Sequence, residues 1–374
     1  MRCGDTWTEV LDQFLDAAAA LPRHCSVAGA GDPCHKRAMS ETEQTDQSPR
    51  VWVLADDRPG NRSQCLGVAR VLGLPFAQKD IKYGPLVRLH NALLGASFAA
   101  ITPASRALLT PPWPDLVIGA GRRSASAARK IKKLSGGRTK LVHVMHPGAG
   151  AGDFDLIAQP AHDARPTAVN TLTIPAAAHG VTADVLAAAK EEWGPVFAHL
   201  PRPLVALMVG GSTRRREFGP EMAAEVAGLA ANMAREQGGS LLVSTSRRVE
   251  ESEDPGTMPA LLAAIADVPH HLYRWGDPAG NPYMGYLAHA DVVVVTGDSV
   301  SMSTEACARP GPVYLYAPPP LITPKHKRFH DYLFGEGYAR PLTAETVWDD
   351  WTHAPLNPAE DIARAIRERL NIGA

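Results

Sequence analysis

Cysteine is scarce in this chain, with five residues among 374 (Cys3, Cys25, Cys34, Cys65 and Cys307), an odd number without a Cys-x-x-Cys pair. That usage argues against a disulfide framework and a zinc site, and it fits a reducing, cytoplasmic compartment. Long apolar runs are missing too. No stretch approaches the ~20 apolar residues of a membrane span. Residues 15–20 are interrupted by Asp16 and have no basic region ahead of them, so they do not read as a signal peptide. His326 and His330 stand at i,i+4 spacing without an acidic or cysteine partner motif, and no metal is expected there. No repeat of solenoid length recurs. Charge of one sign is lacking as well: 38 Lys and Arg face 39 Asp and Glu, and no nucleic-acid partner is expected.

What is present describes a globular chain. Hydrophobic residues at 45% and charged residues at 21% leave room for sizeable cores, and the length accommodates two domains. The charge is unevenly spread: residues 50–200 hold 18 Lys and Arg against 10 Asp and Glu, whereas 201–374 hold 16 against 21. Arg129, Lys130, Lys132, Lys133, Arg138 and Lys140 supply much of the first excess. Such a patch suits an anionic partner such as a lipid headgroup, and it equally suits a solvated helix face. Residues 40–49 form a polar tract with no core-forming pattern. Residues 1–49 therefore read as a disordered extension, with Met39 a candidate start.

The most informative stretch is 291–306. Val292 to Val295 make a β-branched run suited to a strand buried on both faces of a parallel sheet. Thr296-Gly297-Asp298 ends it, and a helix-like segment opens at 299–303. Hydroxyls thus gather at a strand end beside free helix N–H groups, where phosphate commonly binds. Glu305 follows about one turn later, placed to accept hydrogen bonds from sugar hydroxyls. An ordinary turn capped by Ser and Asp fits the same residues, but the arrangement repeats. Residues 204–209 run into Gly210-Gly211-Ser212-Thr213 and Arg214-Arg215-Arg216; 240–243 into Ser244-Thr245-Ser246 and Arg247-Arg248; 116–118 into Gly119-Ala120-Gly121 and Arg122-Arg123; and 51–54 into Asp56-Asp57-Arg58-Pro59-Gly60-Asn61. Arginines at helix starts oppose the macrodipole by about 0.3–1 kcal/mol each, so an anion is expected near those strand ends.

Strands near 51–55, 116–119, 141–145, 156–158 and 171–174 define a first α/β domain over 50–197. Strands near 204–209, 240–244, 271–273, 292–295 and 313–316, with helices at 220–236 and 258–266, define a second over 198–345. Pro- and Gly-rich residues 193–203 read as the linker, and 346–374 as a C-terminal segment whose amphipathic helix aligns Ile362, Ala365, Ile366 and Leu370. Strand–helix alternation implies parallel, doubly wound, Rossmann-like sheets in both halves; two such domains facing a cleft would describe the GT-B architecture of glycosyltransferases.

The sequence resembles the mitochondrial-fission "elongated mitochondria" family, whose bacterial members are GT-B-like. The resemblance covers about 51–345. It rests on Asp57-Arg58-Pro59-Gly60-Asn61 with Gln64, on residues 112–118 leading to Gly121-Arg122-Arg123, and on Gly210-Gly211. It continues in residues 244–248, Asn281-Pro282-Tyr283 and 296–306, and departs at Met145-His146-Pro147, where a Gln-Asp-Pro-like triplet is expected. The resemblance implies a nucleotide-diphosphate sugar in the second domain, as substrate rather than cofactor, and an acceptor in the first. Gly210, Gly211 and Ser212 would then admit the diphosphate, with Ser299 and Ser301 as further donors. Glu305 would take the ribose, and Asn281 and Tyr283 would flank the base. Arg214 and Arg247, near Thr245, would neutralise the leaving group in place of a metal.

Arg58, Asn61, Arg122 and Arg123 fall on the acceptor side. Asp57 is the first candidate base and His146 the second, each with a bland alternative as a turn cap or a satisfied histidine. Tyr283 fits a packing role equally well. The implied acceptor is an envelope glycolipid at the inner face of a membrane. The Leu-, Ala- and Pro-rich segment 86–113, with Arg88, His90 and Arg106, would lie on that surface or form two packed helices. A sugar-nucleotide epimerase and a silent partner-recruiting scaffold are alternatives on the same fold. The sequence leaves the oligomeric state open.

Overall fold

The computed structural model describes residues 49–252 and 254–373. Residues 1–48 of the expected extension, Met39 included, lie outside the described residues. The first sheet holds six strands, β1 (Val51–Asp56), β2 (Phe76–Ile81), β3 (Leu116–Ala120), β4 (Lys140–Val144), β5 (Leu156–Pro160) and β6 (Thr171–Ile174), in the order β2-β1-β3-β4-β5-β6. The second holds β7 (Leu204–Val209), β8 (Ser240–Thr245), β9 (His270–Tyr273), β10 (Val292–Thr296), β11 (Val313–Tyr316) and β12 (Arg340–Pro341), in the order β12-β11-β10-β7-β8-β9. All their pairings are parallel. Central strands such as β1, β7 and β10 are buried at every position. Their unbroken apolar runs need cover on both faces.

That cover comes from α1 (Pro59–Leu72), α2 (Asn91–Leu94), α3 (Pro103–Ala107), α4 (Gly121–Leu134), α5 (Ala183–Phe197) and α6 (Pro220–Glu236). It is completed by α7 (Arg247–Glu250), α8 (Thr257–Ile265), α9 (Tyr283–His289), α10 (Val300–Ala306), α11 (Pro324–Gly335) and α12 (Pro358–Leu370). On one face of the first sheet, Leu66 and Val68 of α1 meet Ile362 and Ile366 of α12. Ala125 and Ile131 of α4 cover the other face. The second sheet lies between α5, α9 and α11 on one side and α6 and α8 on the other.

Two elements cross between the domains. α5 falls within the stretch read as the first domain, yet Val185, Ala189 and Phe197 join the core of the second sheet. Trp193 packs against Gly285 of α9 so closely that a Cβ there would collide with it. The chain therefore crosses over between β6 and α5, ahead of the linker read at 193–203, whose first residues are helical. In the other direction, α12 returns to the first sheet, where Arg367 donates to the Leu72 carbonyl at the end of α1 (2.8 Å). Its apolar face matches α1, which would otherwise be exposed.

The domains also touch through α11. Arg328 donates twice to the His162 carbonyl (3.0 and 2.9 Å), and Lys325 pairs with Asp163 (2.6 Å). An interdomain cavity of about 330 Å³ opens beside His162 and Arg328. Strand order reverses between β1 and β3 in one sheet and between β7 and β10 in the other. Ligands of open α/β sheets bind at the carboxyl ends of strands at such points.

Candidate active site at the two switch points

In the second domain the ends of β7 and β10 are tied together. The Gly210 N–H donates to Thr296 Oγ1 (2.8 Å). A Cβ on Gly210 would collide with the Asp298 carboxylate, and one on Gly211 (φ 95°) with the backbone of α7. The approach these glycines permit is thus that of the protein's own loops, and the Gly210 N–H, expected to face a diphosphate, is already engaged. Asp298, its side chain fully buried, pairs with Arg248 (2.8 Å); burial pushes its carboxyl up while Arg248 opposes the shift. Arg248 also donates to the carbonyls of Gly211 (2.9 Å) and Ser212 (3.2 Å). It is therefore Arg248 that braces the switch point, whereas Arg247, read as the leaving-group partner, pairs with Glu251 nearer solvent.

Several expected ligand side chains serve the fold. Ser212 Oγ accepts from the Phe218 N–H (2.9 Å), Ser299 Oγ caps α10, and Asn281 Oδ1 accepts from the Tyr283 N–H (3.0 Å). Thr245 is buried and donates to Glu250 (2.6 Å), which also holds Arg274. Ser301 is half-buried on α10. Tyr283 donates to Glu305 Oε2 (2.8 Å), and burial pushes the Glu305 carboxyl up to about 7 against that hydrogen bond. On the loops after β7 and β8 opens a cavity of about 630 Å³, with Arg214, Arg215, Arg216, Arg247 and Arg248 in its wall alongside Glu217, Glu251 and Asp254; neither Tyr283 nor Glu305 lines it.

In the first domain, buried Asp56 at the end of β1 accepts from Asn61 Nδ2 (2.7 Å) and the Arg58 N–H (3.1 Å). Arg123 pairs with both Asp56 and Asp57 and stacks 4.1 Å from the centre of the Tyr83 ring. Burial, with the Asp57 neighbour, pushes Asp56 up to about 6. For Asp57, partial burial is outweighed by hydrogen bonds with Asp56 and Arg123, and its pKa falls. Proton affinity is thus centred on Asp56, a residue the sequence reading passed over, rather than on Asp57. Buried His143 fixes the β3 loop through the Gly121 carbonyl (2.8 Å).

A cavity of about 230 Å³ gathers Arg58, Asn61, Arg122, Arg123 and His146 from three strand ends, with Arg165 joining them. Met145 sits there at φ 65°, in the left-handed region that non-glycine residues seldom enter. His146 Nδ1 accepts from the Gly148 N–H (3.0 Å). The neutral ring therefore carries its proton on Nε2 and is a donor at that atom rather than a base.

Much of the anion expected opposite the arginines is the protein's own. Arg123 has Asp56 and Asp57, Arg248 has Asp298, Arg247 has Glu251, and Arg122 donates to the Val87 and Leu89 carbonyls. Arg214–216 lie in a bridged turn ahead of α6 rather than at its start. The basic cluster on α4 is likewise partly matched, by Arg129–Asp153 (2.5 Å) and Lys132–Asp155 (2.7 Å). Sequence spacing shows the arginines but not the acids that fold back on them.

Two doubly wound domains, each with its charged loops at a switch point and facing each other across a cleft, make this a protein of the GT-B architecture. The chain belongs to the family described as Mitochondrial fission ELM1, matched over residues 59–370. It is 28% identical to the uncharacterized protein RP120 of Rickettsia prowazekii over 360 residues, covering 86% of this chain and 99% of that one. It is 25% identical to the mitochondrial fission protein ELM1 of Arabidopsis thaliana, covering 86% and 91%. Among solved structures, MurG of Acinetobacter baumannii aligns at 15% identity and a TM-score of 0.40, covering 87% of this chain and 92% of that one. The UDP-GlcNAc 2-epimerase of Methanocaldococcus jannaschii aligns at 12% and 0.48, covering 85% and 99%.

Proposed function

We propose that the protein is a GT-B-type glycosyltransferase, taking its donor, a nucleotide-diphosphate sugar, in the second domain and its acceptor in the first. The observation that carries this reading is the Tyr283–Glu305 pair, in which the carboxylate of α10 is held by a buried tyrosine of α9; a separate cavity lined by five arginines opens on the loops after β7 and β8. Glu305 accepts the ribose hydroxyls, with Tyr283 orienting its carboxylate. Arg214, free of protein partners among the described residues, and Arg247 stabilise the departing diphosphate, the role a metal fills in other transferases. Proton acceptance from the acceptor hydroxyl falls to the Asp56–Asp57 pair, of which Asp57 is the member that reaches solvent (43% against 0% side-chain exposure).

The acceptor in this reading is an envelope glycolipid, met by a cytoplasmic protein at a membrane surface. Among the described residues no helix is long and apolar enough to cross a membrane. Leu86, Leu89, Leu93 and Leu108 are nevertheless exposed on the segment beside the first-domain cavity, as an interfacial contact requires.

Calorimetry with uridine and guanosine diphosphates tests the donor half. Glu305→Ala is expected to weaken binding by about 1–3 kcal/mol, the scale of charge-assisted hydrogen bonds; failure of wild type to bind any nucleoside diphosphate overturns the assignment. For the chemistry, a labelled sugar nucleotide is followed into a membrane extract. Asp57→Asn is expected to keep nucleotide affinity and lose about 10²–10⁴-fold in transfer. Nucleotide binding without transfer by wild type would favour a scaffold.

A further inference from the structure

We propose that the first-domain cavity is a phosphate site, so that the acceptor carries a phosphate group held by Arg58, Arg165 and the Nε2–H of His146. The word "acceptor" rests on the transferase reading; the phosphate site does not. A count of charges around the cavity leads to it. Four arginines and one carboxylate, Asp163, line the space. Asp163 is taken by Lys325 (2.6 Å). Arg122 is spent on the carbonyls of Leu89 (2.8 Å) and Val87 (2.9 Å), and Arg123 on Asp56 and Asp57.

Arg58 and Arg165 remain. Both are exposed, and neither guanidinium has a hydrogen bond or ion pair among the described residues. His146 adds a directed donor, because its Nδ1 is occupied by the Gly148 N–H. The Asn61 amide is spent on Asp56, so the donors left over are cationic or imidazole N–H groups. They come from three separate loops and surround one small space of about 230 Å³. Several oxygens on one tetrahedral centre can meet such a set, and arginine is the side chain suited to phosphate oxygens.

The site is also held in place. Asn91 Nδ2 donates to the carbonyls of Arg122 (2.9 Å) and Pro147 (2.6 Å), locking the β3 and β4 loops together beneath the exposed leucines of 86–93. A phosphate on a soluble sugar and one on a lipid headgroup present the same chemistry here.

The test is equilibrium binding of the full chain to three probes: inorganic phosphate, a glycosyl 1-phosphate, and phosphatidylcholine vesicles with or without phosphatidic acid. Arg58→Gln and Arg165→Gln are each expected to weaken phosphate-probe binding about tenfold or more. Arg369→Gln, an exposed arginine outside both sites, is expected to leave it unchanged, and nucleoside-diphosphate affinity should not move in any variant. Arg165→Lys should recover part of the loss. Because both arginines are exposed and neither guanidinium has a partner among the described residues, melting temperature is expected to hold, and far-UV circular dichroism checks it. Preference for the glycosyl phosphate identifies a soluble source, and preference for acidic vesicles a lipid one. Absence of binding to every probe, or an equal loss in Arg369→Gln, overturns the proposal. Phosphate binding that depends on Arg58 and Arg165 in a protein that binds no nucleotide would instead retain the site and discard the donor assignment.

Discussion

In the transferase reading, Glu305 would couple stability to nucleotide binding. Its carboxyl is pushed from 4.5 to about 7 by burial, against the opposing Tyr283 hydrogen bond. A carboxyl raised in the folded state adds stability that is full below its unfolded value and is lost as pH rises through the folded one. The loss therefore falls between pH 4.5 and about 7 and amounts to at most about 3 kcal/mol. Glu305→Gln should remove that contribution from the change between pH about 5 and 8 in urea unfolding, leaving those of Asp56, raised from 3.8 to about 6, and of Asp298, raised by burial, in the same sense. An unchanged slope in the variant would show that Glu305 is ionised without cost. If ribose hydroxyls donate to the ionised form, as the transferase reading proposes, nucleotide affinity in wild type should fall as pH drops below 7. In the sequence, Glu305 stands out by its place just past the 299–303 segment. Asp56 does not, because its burial and Asn61 partner are set by the loop that folds over it.

Among the elements, the central strands and long helices were readable because each carries its own period. β7 is an unbroken apolar run, β8 and β10 carry apolar runs at 241–243 and 292–295, and the helices at 220–236 and 358–370 show apolar faces. The edge strand β2 was not read. Phe76–Ile81 contains Gln78, Lys79 and Asp80, and half-exposed edges tolerate such residues. α12 shows what an amphipathic pattern leaves open: it announces a buried face but not the surface that buries it. Because Ile366 is fully buried against α1 and the first sheet, Ile366→Ala is expected to cost about 2–5 kcal/mol. Nucleoside-diphosphate affinity in the second domain should be unaffected. A change in affinity without a stability loss would place α12 in the site instead.

For the molecule as a whole, α11 is a contact that joins the two domains. Its Lys325 holds Asp163 in the wall of the first-domain cavity, and Arg328 grips the His162 carbonyl. His330 on the same helix packs against Gly297 at the end of β10. One helix thus touches both switch-point regions. Arg328→Ala removes two hydrogen bonds across the interface and should raise the radius of gyration in solution X-ray scattering. It should lower transfer while nucleotide affinity stays within about twofold. An unchanged radius with unchanged transfer would show that the contact does not set the spacing of the domains.

The sequence by itself determined the α/β class, the count of two domains, the strand ends where charge collects and the family pattern, since all of these are local: period, punctuation and motif. Only the tertiary structure decided which helix serves which sheet, which arginines already have carboxylates, and which donors remain unpaired. Arg123 and Arg58 look alike in sequence, yet Arg123 folds onto Asp56 and Asp57 while the Arg58 guanidinium has no partner among the described residues. Electrostatic pairing is a property of distance in space, and residues 67 positions apart, as Arg123 and Asp56 are, reach each other only after the sheet has formed.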